Sequence, residues 1–360
     1  MKRPAVVLLV VLATLSTLVT ACRAPRRSEH WTPATAPPPP RRRFDGPRLP
    51  PFAGGDPAAL GLTRVGDLLW LEARDADAWK RGLIRCGDGY LSVAAADAAV
   101  KSPFEGYLLR TDHLVLSTNV PLARARELAQ VAETHVGRVF AALGEPLDLR
   151  FPADPIPMVV AARCAEFQRL LRERVALPVD WGAFYLALDG TVYACEERSV
   201  AGDLSVAADL RHELTHGILD LGRPERGRDA MYTRPHFWAW EAIALWSEHL
   251  GEAPDQRARS PRLERFRRRL AWGELVPLSE LFRLPQSAFL GRHYDQTAAF
   301  TEWLMDVDGG ARRAGLLALV RRVMHGEAEV CDFDCLVGMS PPEAERRWLA
   351  SLGHAPPCGR

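Results

Sequence analysis

Arg211-His212-Glu213-Leu214-Thr215-His216 carries two histidines four residues apart with an acid beside the first. On a helix, residues four apart stand one turn above each other on the same face. Both imidazoles can then reach one metal ion, while the backbone ladder keeps them rigid. Glu213 lies about 100° further round, beside the metal rather than on it, which suits a general base acting on metal-activated water. Val206, Leu210, Leu214 and Ile218 fall on a separate apolar stripe, so residues 204–221 predict an amphipathic helix. The plain alternative is a pair of surface histidines on a helix.

A zinc site needs a third protein ligand and an open fourth position. Trp238-Ala239-Trp240-Glu241-Ala242-Ile243-Ala244-Leu245-Trp246-Ser247-Glu248 supplies the candidate. This segment is a run of large apolar residues with acids at two positions. A carboxylate inside such a helix is costly unless it is paired or bound to a cation. Glu241 is the expected ligand. Glu248 is either an acceptor that orients a ligand histidine or a solvated residue at a helix end. His236, on the loop before this helix, is the rival third ligand.

An HExxH helix followed by a helix of the form Trp-x-x-Glu-Gly-x-Ala resembles the gluzincin metallopeptidases. More closely, the chain resembles the peptidase MA-like domains of bacterial exported proteins, over roughly residues 105–350. Trp238, Glu241, Ile243 and Ala244 match the second motif, and Ala242 departs from its usual Gly. The resemblance implies a zincin-like α+β fold, with Zn2+ held by His212, His216 and Glu241. It implies that Glu213 takes a proton from the zinc-activated water and passes it to the leaving nitrogen. A later helix of the family begins with Tyr, matching Tyr294-Asp295-Gln296-Thr297, so Tyr294 would donate a hydrogen bond to the oxyanion. The alternatives are a Tyr294 that merely packs on the core and His293 in the same role.

Outward from the motif, strands precede helices. Residues 68–71 and 90–93 read as strands around a short helical piece, and 107–117 as one strand. A helix is expected over 121–143, a buried strand over 156–161 and a short helix over 164–174. A hairpin, 181–188 with 191–195, turns at Asp189-Gly190. Helices follow over 237–251, 261–271, 294–306, 311–324 and 341–352. The expected architecture is α+β: an N-terminal mixed sheet with the active-site helix, then a mainly helical C-terminal subdomain. No internal repeat is apparent. Arg262, Arg265, Arg267, Arg268 and Arg269 read as a solvated helix face.

The N-terminus is read as a processing signal. Met1-Lys2-Arg3 is a basic head, and an apolar run from Ala5 to Thr20 ends at Ala21-Cys22. The run is short for a spanning helix. Val19-Thr20-Ala21-Cys22 resembles the bacterial lipobox, which implies cleavage before Cys22 and its lipidation. The expected organisation is a signal peptide (1–21), a Pro/Arg-rich tether (22–57), a small N-terminal region (58–104) and the metallopeptidase domain (105–360). The tether contains Pro37 to Pro40 in succession and cannot bury a core.

Charge supports this division. The tether is basic, while residues 44–360 carry an acidic excess, which argues against nucleic-acid binding. Cys86, Cys164, Cys195, Cys331, Cys335 and Cys358 remain after Cys22, and export makes at least one disulfide expected. Cys331 and Cys335 could close a small loop or pair elsewhere. The sequence therefore points to a zinc peptidase acting on a peptide or protein substrate, tethered by lipid to a membrane of the bacterial envelope, with its catalytic domain exported. Its rivals are a non-catalytic lipoprotein that keeps the fold as a binding or scaffold module, and a zinc hydrolase of non-peptide bonds.

Overall fold

In the computed structural model, which describes residues 60–86, 88–152, 154–175, 182–197, 205–223 and 236–354, the chain enters through two ββα units in tandem. The first is β1 (Leu62–Val65), β2 (Leu69–Glu72) and α1 (Ala73–Lys80). The second is β3 (Leu83–Cys86), β4 (Gly89–Ser92) and α2 (Val93–Ala99). Each hairpin is antiparallel, with Leu62 opposite Glu72 and Leu83 opposite Ser92. Contrary to expectation, this is an internal repeat. Gly61 and Gly82 both take positive φ, and Ala76 and Ala96 are the matching buried alanines. The sequences Leu62-Thr63-Arg64-Val65-Gly66-Asp67 and Leu83-Ile84-Arg85-Cys86-Gly87-Asp88 correspond. The second hairpin loop is one residue shorter, which breaks the register and hides the repeat from a fixed-period comparison.

The repeat extends to its contacts. Arg64 and the Trp70 indole N–H both donate to Asp112, in the turn of the main sheet. Their counterparts Arg85 and Tyr90 both donate to Asp75 of the first unit, at 2.9 and 2.6 Å. Asp97 of the second unit accepts from the Tyr107 hydroxyl and from the Leu122 N–H. Leu69, Ile84 and Ala96 join the main core.

The main sheet has five strands: β5 (Tyr107–Arg110), β6 (Leu114–Thr118), β7 (Ile156–Ala161), β8 (Ala183–Leu186) and β9 (Thr191–Cys195). Their order is β5-β6-β7-β9-β8. The β6–β7 and β7–β9 pairs are parallel, and the two outer pairs antiparallel. The single strand expected over 107–117 is two, turning at Thr111-Asp112-His113. The Thr111 hydroxyl and the His113 N–H both donate to Glu133, which fixes the turn. β8, at the sheet edge, pairs with β9 around Asp189-Gly190, as expected of the hairpin. Trp181, at its start, lies outside the described residues.

Period-2 alternation splits the sheet between two cores. Met158, Val160, Val192 and Ala194 face the main core, under α3 (Leu122–Leu143) and α5 (Val206–Leu221). Val159, Ala161, Tyr193 and Cys195 face a smaller one, closed by α4 (Cys164–Val175). Cys164 and Cys195 form a disulfide that ties α4 to β9. Cys86, Cys331 and Cys335 are free, and Cys358 lies outside the described residues.

The remainder is helical: α6 (Phe237–Ser247), α7 (Pro254–Ala258), α8 (Pro261–Ala271), α9 (Leu278–Leu281), α10 (Gly291–Met305), α11 (Arg313–His325), α12 (Asp332–Val337) and α13 (Pro341–Ser351). α6 is apolar all round, so it must be buried all round; it packs between α5, α10 and α11. The architecture is thus α+β, a mixed five-stranded sheet followed by helices. Among the described residues no helix is long and apolar enough to cross a membrane. The expected signal peptide of 1–21, the expected lipidation site Cys22 and the expected tether of 22–57 lie outside the described residues.

Candidate metal centre

α5 begins at Ser205, whose side chain caps the helix by accepting from the Ala208 N–H. Leu210, Leu214 and Ile218 are fully buried on the stripe facing the sheet. Gly217 lets the helix lie close to the strands, because a Cβ there would stand 3.3 Å from the Tyr185 ring. The Thr215 hydroxyl donates to the Arg211 carbonyl and accepts from His135 of α3. These contacts fix the rotation of α5 and turn His212 and His216 toward α6.

α6 presents Glu241 to them. His212 Nε2 lies 3.2 Å from His216 Nε2 and 3.2 Å from Glu241 Oε2, and His216 Nε2 lies 3.4 Å from Glu241 Oε2. These three atoms form the one group of potential metal ligands among the described residues, and all three residues are buried. Bonds of about 2.0–2.1 Å to a tetrahedral ion put ligand atoms about 3.3 Å apart. All three edges match that length, so the donor set fits zinc in both chemistry and spacing.

The charges around the donors are strongly coupled. Burial alone would raise the Glu241 pKa, but the charge of His216 and the hydrogen bond and charge of His212 hold it below the ordinary carboxylate range. Burial opposes a charged His212, yet its hydrogen bonds to Glu241 and Glu248 and the charge of Glu213 push its pKa up. His212 thus has carboxylates at both ring nitrogens, Glu241 at Nε2 and Glu248 at Nδ1, the latter at 2.8 Å. His216 is held differently. Its ring stacks on Trp240, at 5.0 Å between centroids, and its Nδ1 has no hydrogen-bond partner among the described residues.

Glu213 stands beside the cluster. Its Oε1 is 4.0 Å from His212 Nε2, and its Oε2 accepts the Tyr185 N–H of β8 at 2.8 Å. The edge strand therefore anchors one carboxylate oxygen and leaves the other toward the donors. Tyr185 is fixed in turn by its hydroxyl, which donates to Asp220. Tyr294, near the start of α10, has its ring 6.4 Å from that of His212 and edge-on to Phe289. Burial, then the charges of Glu241 and Glu213, raise its pKa, so its phenol stays protonated.

Two expected rivals are placed elsewhere. His236 takes positive φ before α6; its Nδ1 accepts from the Trp238 indole, and its Nε2 donates to the Glu329 carbonyl. Both nitrogens are spent on shaping the entry to α6, so His236 does not replace Glu241. His293 Nδ1 accepts the Leu290 N–H and closes the start of α10.

The choice left open for Glu248 is settled by its surroundings. It is fully buried, orients His212, and is gripped by Arg262. The reading of the arginine stretch as a solvated face holds for Arg267 and Arg268, which are exposed. It fails for Arg262, and for Arg265, which clamps Asp295 of α10. In the sequence these arginines look alike; a Ser-Pro helix start at 260–261 is the one hint that Arg262 is turned inward. No family model matches the chain, and no curated protein matches it.

Proposed function

We propose that this chain is a zinc-dependent peptidase of the gluzincin kind, with a zincin-like fold. In this reading it is exported and held at a bacterial membrane by a lipid on Cys22. The observation that carries the proposal is the convergence of His212 Nε2, His216 Nε2 and Glu241 Oε2 at tetrahedral-edge spacing. Those three residues would hold Zn2+, which when bound lowers the pKa of water and polarises a carbonyl. Glu213 Oε1 receives a proton from the attacking water and returns it to the leaving nitrogen, while the Tyr185 N–H keeps the carboxylate from swinging away. Tyr294, kept protonated, donates to the oxyanion as charge develops there. A peptide or protein is the substrate class, as the resemblance to the gluzincin peptidases implies.

The test is zinc analysis of the purified protein, followed by a broad peptide-cleavage screen. Wild type should hold one zinc per chain and cleave. Glu213→Gln keeps size and leaves the donor set intact, so zinc should stay bound while hydrolysis falls by about 10²- to 10⁴-fold. His216→Ala should lose both. Wild-type protein that takes up no zinc when offered it would make the chain a binding or scaffold module instead.

A further inference from the structure

Behind the donor set lies a buried chain of contacts that the peptidase reading does not use. His212 Nδ1 meets Glu248 Oε1 at 2.8 Å. Glu248 is completely buried at the end of α6. Arg262, on the first turn of α8, engages both its oxygens: Nε lies 3.1 Å from Oε1 and 3.0 Å from Oε2, and Nη2 lies 2.9 Å from Oε1. The Arg262 side chain is 14% exposed, and its guanidinium carbon lies 5.9 Å over the Tyr294 ring. One planar cation thus fixes the carboxylate that orients a metal ligand and also lies over the Tyr294 ring.

A carboxylate with no access to water keeps its charge and direction only if a cation is held in a matching geometry. Arginine does this with a rigid fork, and lysine, a point charge on a flexible stem, does not. The local build favours the fork. Ser260 caps α8 by accepting from the Leu263 N–H, and Pro261 occupies the first turn, so the direction of Arg262 is set by the backbone. Arg265, one turn on, makes a similar paired contact, but to Asp295 of α10, whose ion-pair partners among the described residues are Arg265 and Arg269 rather than a donor histidine. The helix therefore carries an internal control.

We propose that Arg262 is a positioning residue for the metal centre: by clamping Glu248 it holds His212 in the orientation that binds zinc. The inference rests on the reading of His212, His216 and Glu241 as zinc ligands. Partners of this kind change metal affinity by about 10- to 100-fold when removed.

Zinc affinity, measured by competition with a chromophoric chelator, tests this without any substrate. Arg262→Lys keeps the charge and loses the fork; it should weaken zinc binding at least tenfold. Arg265→Lys loses an equivalent fork and should lower the melting temperature while leaving zinc affinity as in wild type. Glu248→Gln should weaken zinc, and the double variant Arg262→Lys/Glu248→Gln should be no weaker than the weaker single, because both act through one contact. Unchanged affinity in Arg262→Lys overturns the proposal, as does an equal loss in Arg265→Lys, or additive losses in the double variant. Wild type that binds no zinc brings down the parent reading and this inference with it. Zinc bound tightly by wild type and Arg262→Lys alike brings down this inference alone.

Discussion

His212 is the residue on which the electrostatics of the site converge. Between Glu241 and Glu248 its imidazole is held protonated well above its ordinary 6.5, up to about 10. A metal taking Nε2 must displace that proton, so ligand and proton compete for one nitrogen. Zinc binding near pH 7 should release about one proton from His212, and affinity should climb as pH rises toward 10. Calorimetry in buffers of differing ionisation enthalpy reads the released proton; equal heats in all buffers would remove His212 from the ligand set. The metal-free protein has its own dependence. A raised histidine pKa contributes stability that is full below 6.5 and lost as pH rises through the folded value. The depressed Glu241 and Glu248 contribute stability present above 4.5 and lost as pH falls. The metal-free protein should therefore weaken toward both ends, with the alkaline loss relieved by zinc.

Among the elements, α4 depends most on covalent help. It closes the smaller core, formed by Val159, Ala161, Phe167, Leu171 and Tyr193, on the sheet face opposite α5. The Cys164–Cys195 disulfide links residues 31 apart in sequence, and a loop of that length contributes about 3–4 kcal/mol by restricting the unfolded chain. Cys164→Ser/Cys195→Ser should lower the denaturant midpoint accordingly, while zinc stoichiometry holds because the donors sit on the other face. A variant that unfolds as wild type does, or that loses zinc with its fold intact, would contradict this division of the sheet. α6 is the opposite case: it has no covalent tie, and its apolar residues are buried on every side, so packing dominates, helped by the indole hydrogen bonds of Trp238 and Trp246, with Glu241 as the carboxylate at its middle.

At the scale of the whole molecule, the proposed N-terminal signal and the folded body are tested separately. If Cys22 is acylated, Cys22→Ser should shift the exported protein from the membrane to the soluble fraction, and mass spectrometry of wild type should find an acylated N-terminal peptide. An unmodified mature terminus elsewhere would sink the anchor. The sequence by itself determined the α+β order, the position of α5 and the face that His212 and His216 share, because helical periodicity and four-residue spacing are local. It also singled out Glu241, because an acid in an all-apolar helix needs a cation whatever the fold. What the tertiary structure decided was everything that depends on distant segments meeting. The ββα repeat becomes plain once its two hairpins are set side by side, since one loop residue breaks the register of a fixed-period comparison. The break of 107–117 into β5 and β6 depends on Glu133 of α3, and the role of Glu248 depends on Arg262. Five arginines of similar sequence context differ in what lies opposite: Arg262 meets Glu248 at the end of α6, Arg265 meets Asp295 of α10, and Arg267 and Arg268 face solvent, which is fixed by how α8 packs on α10 rather than by any local propensity.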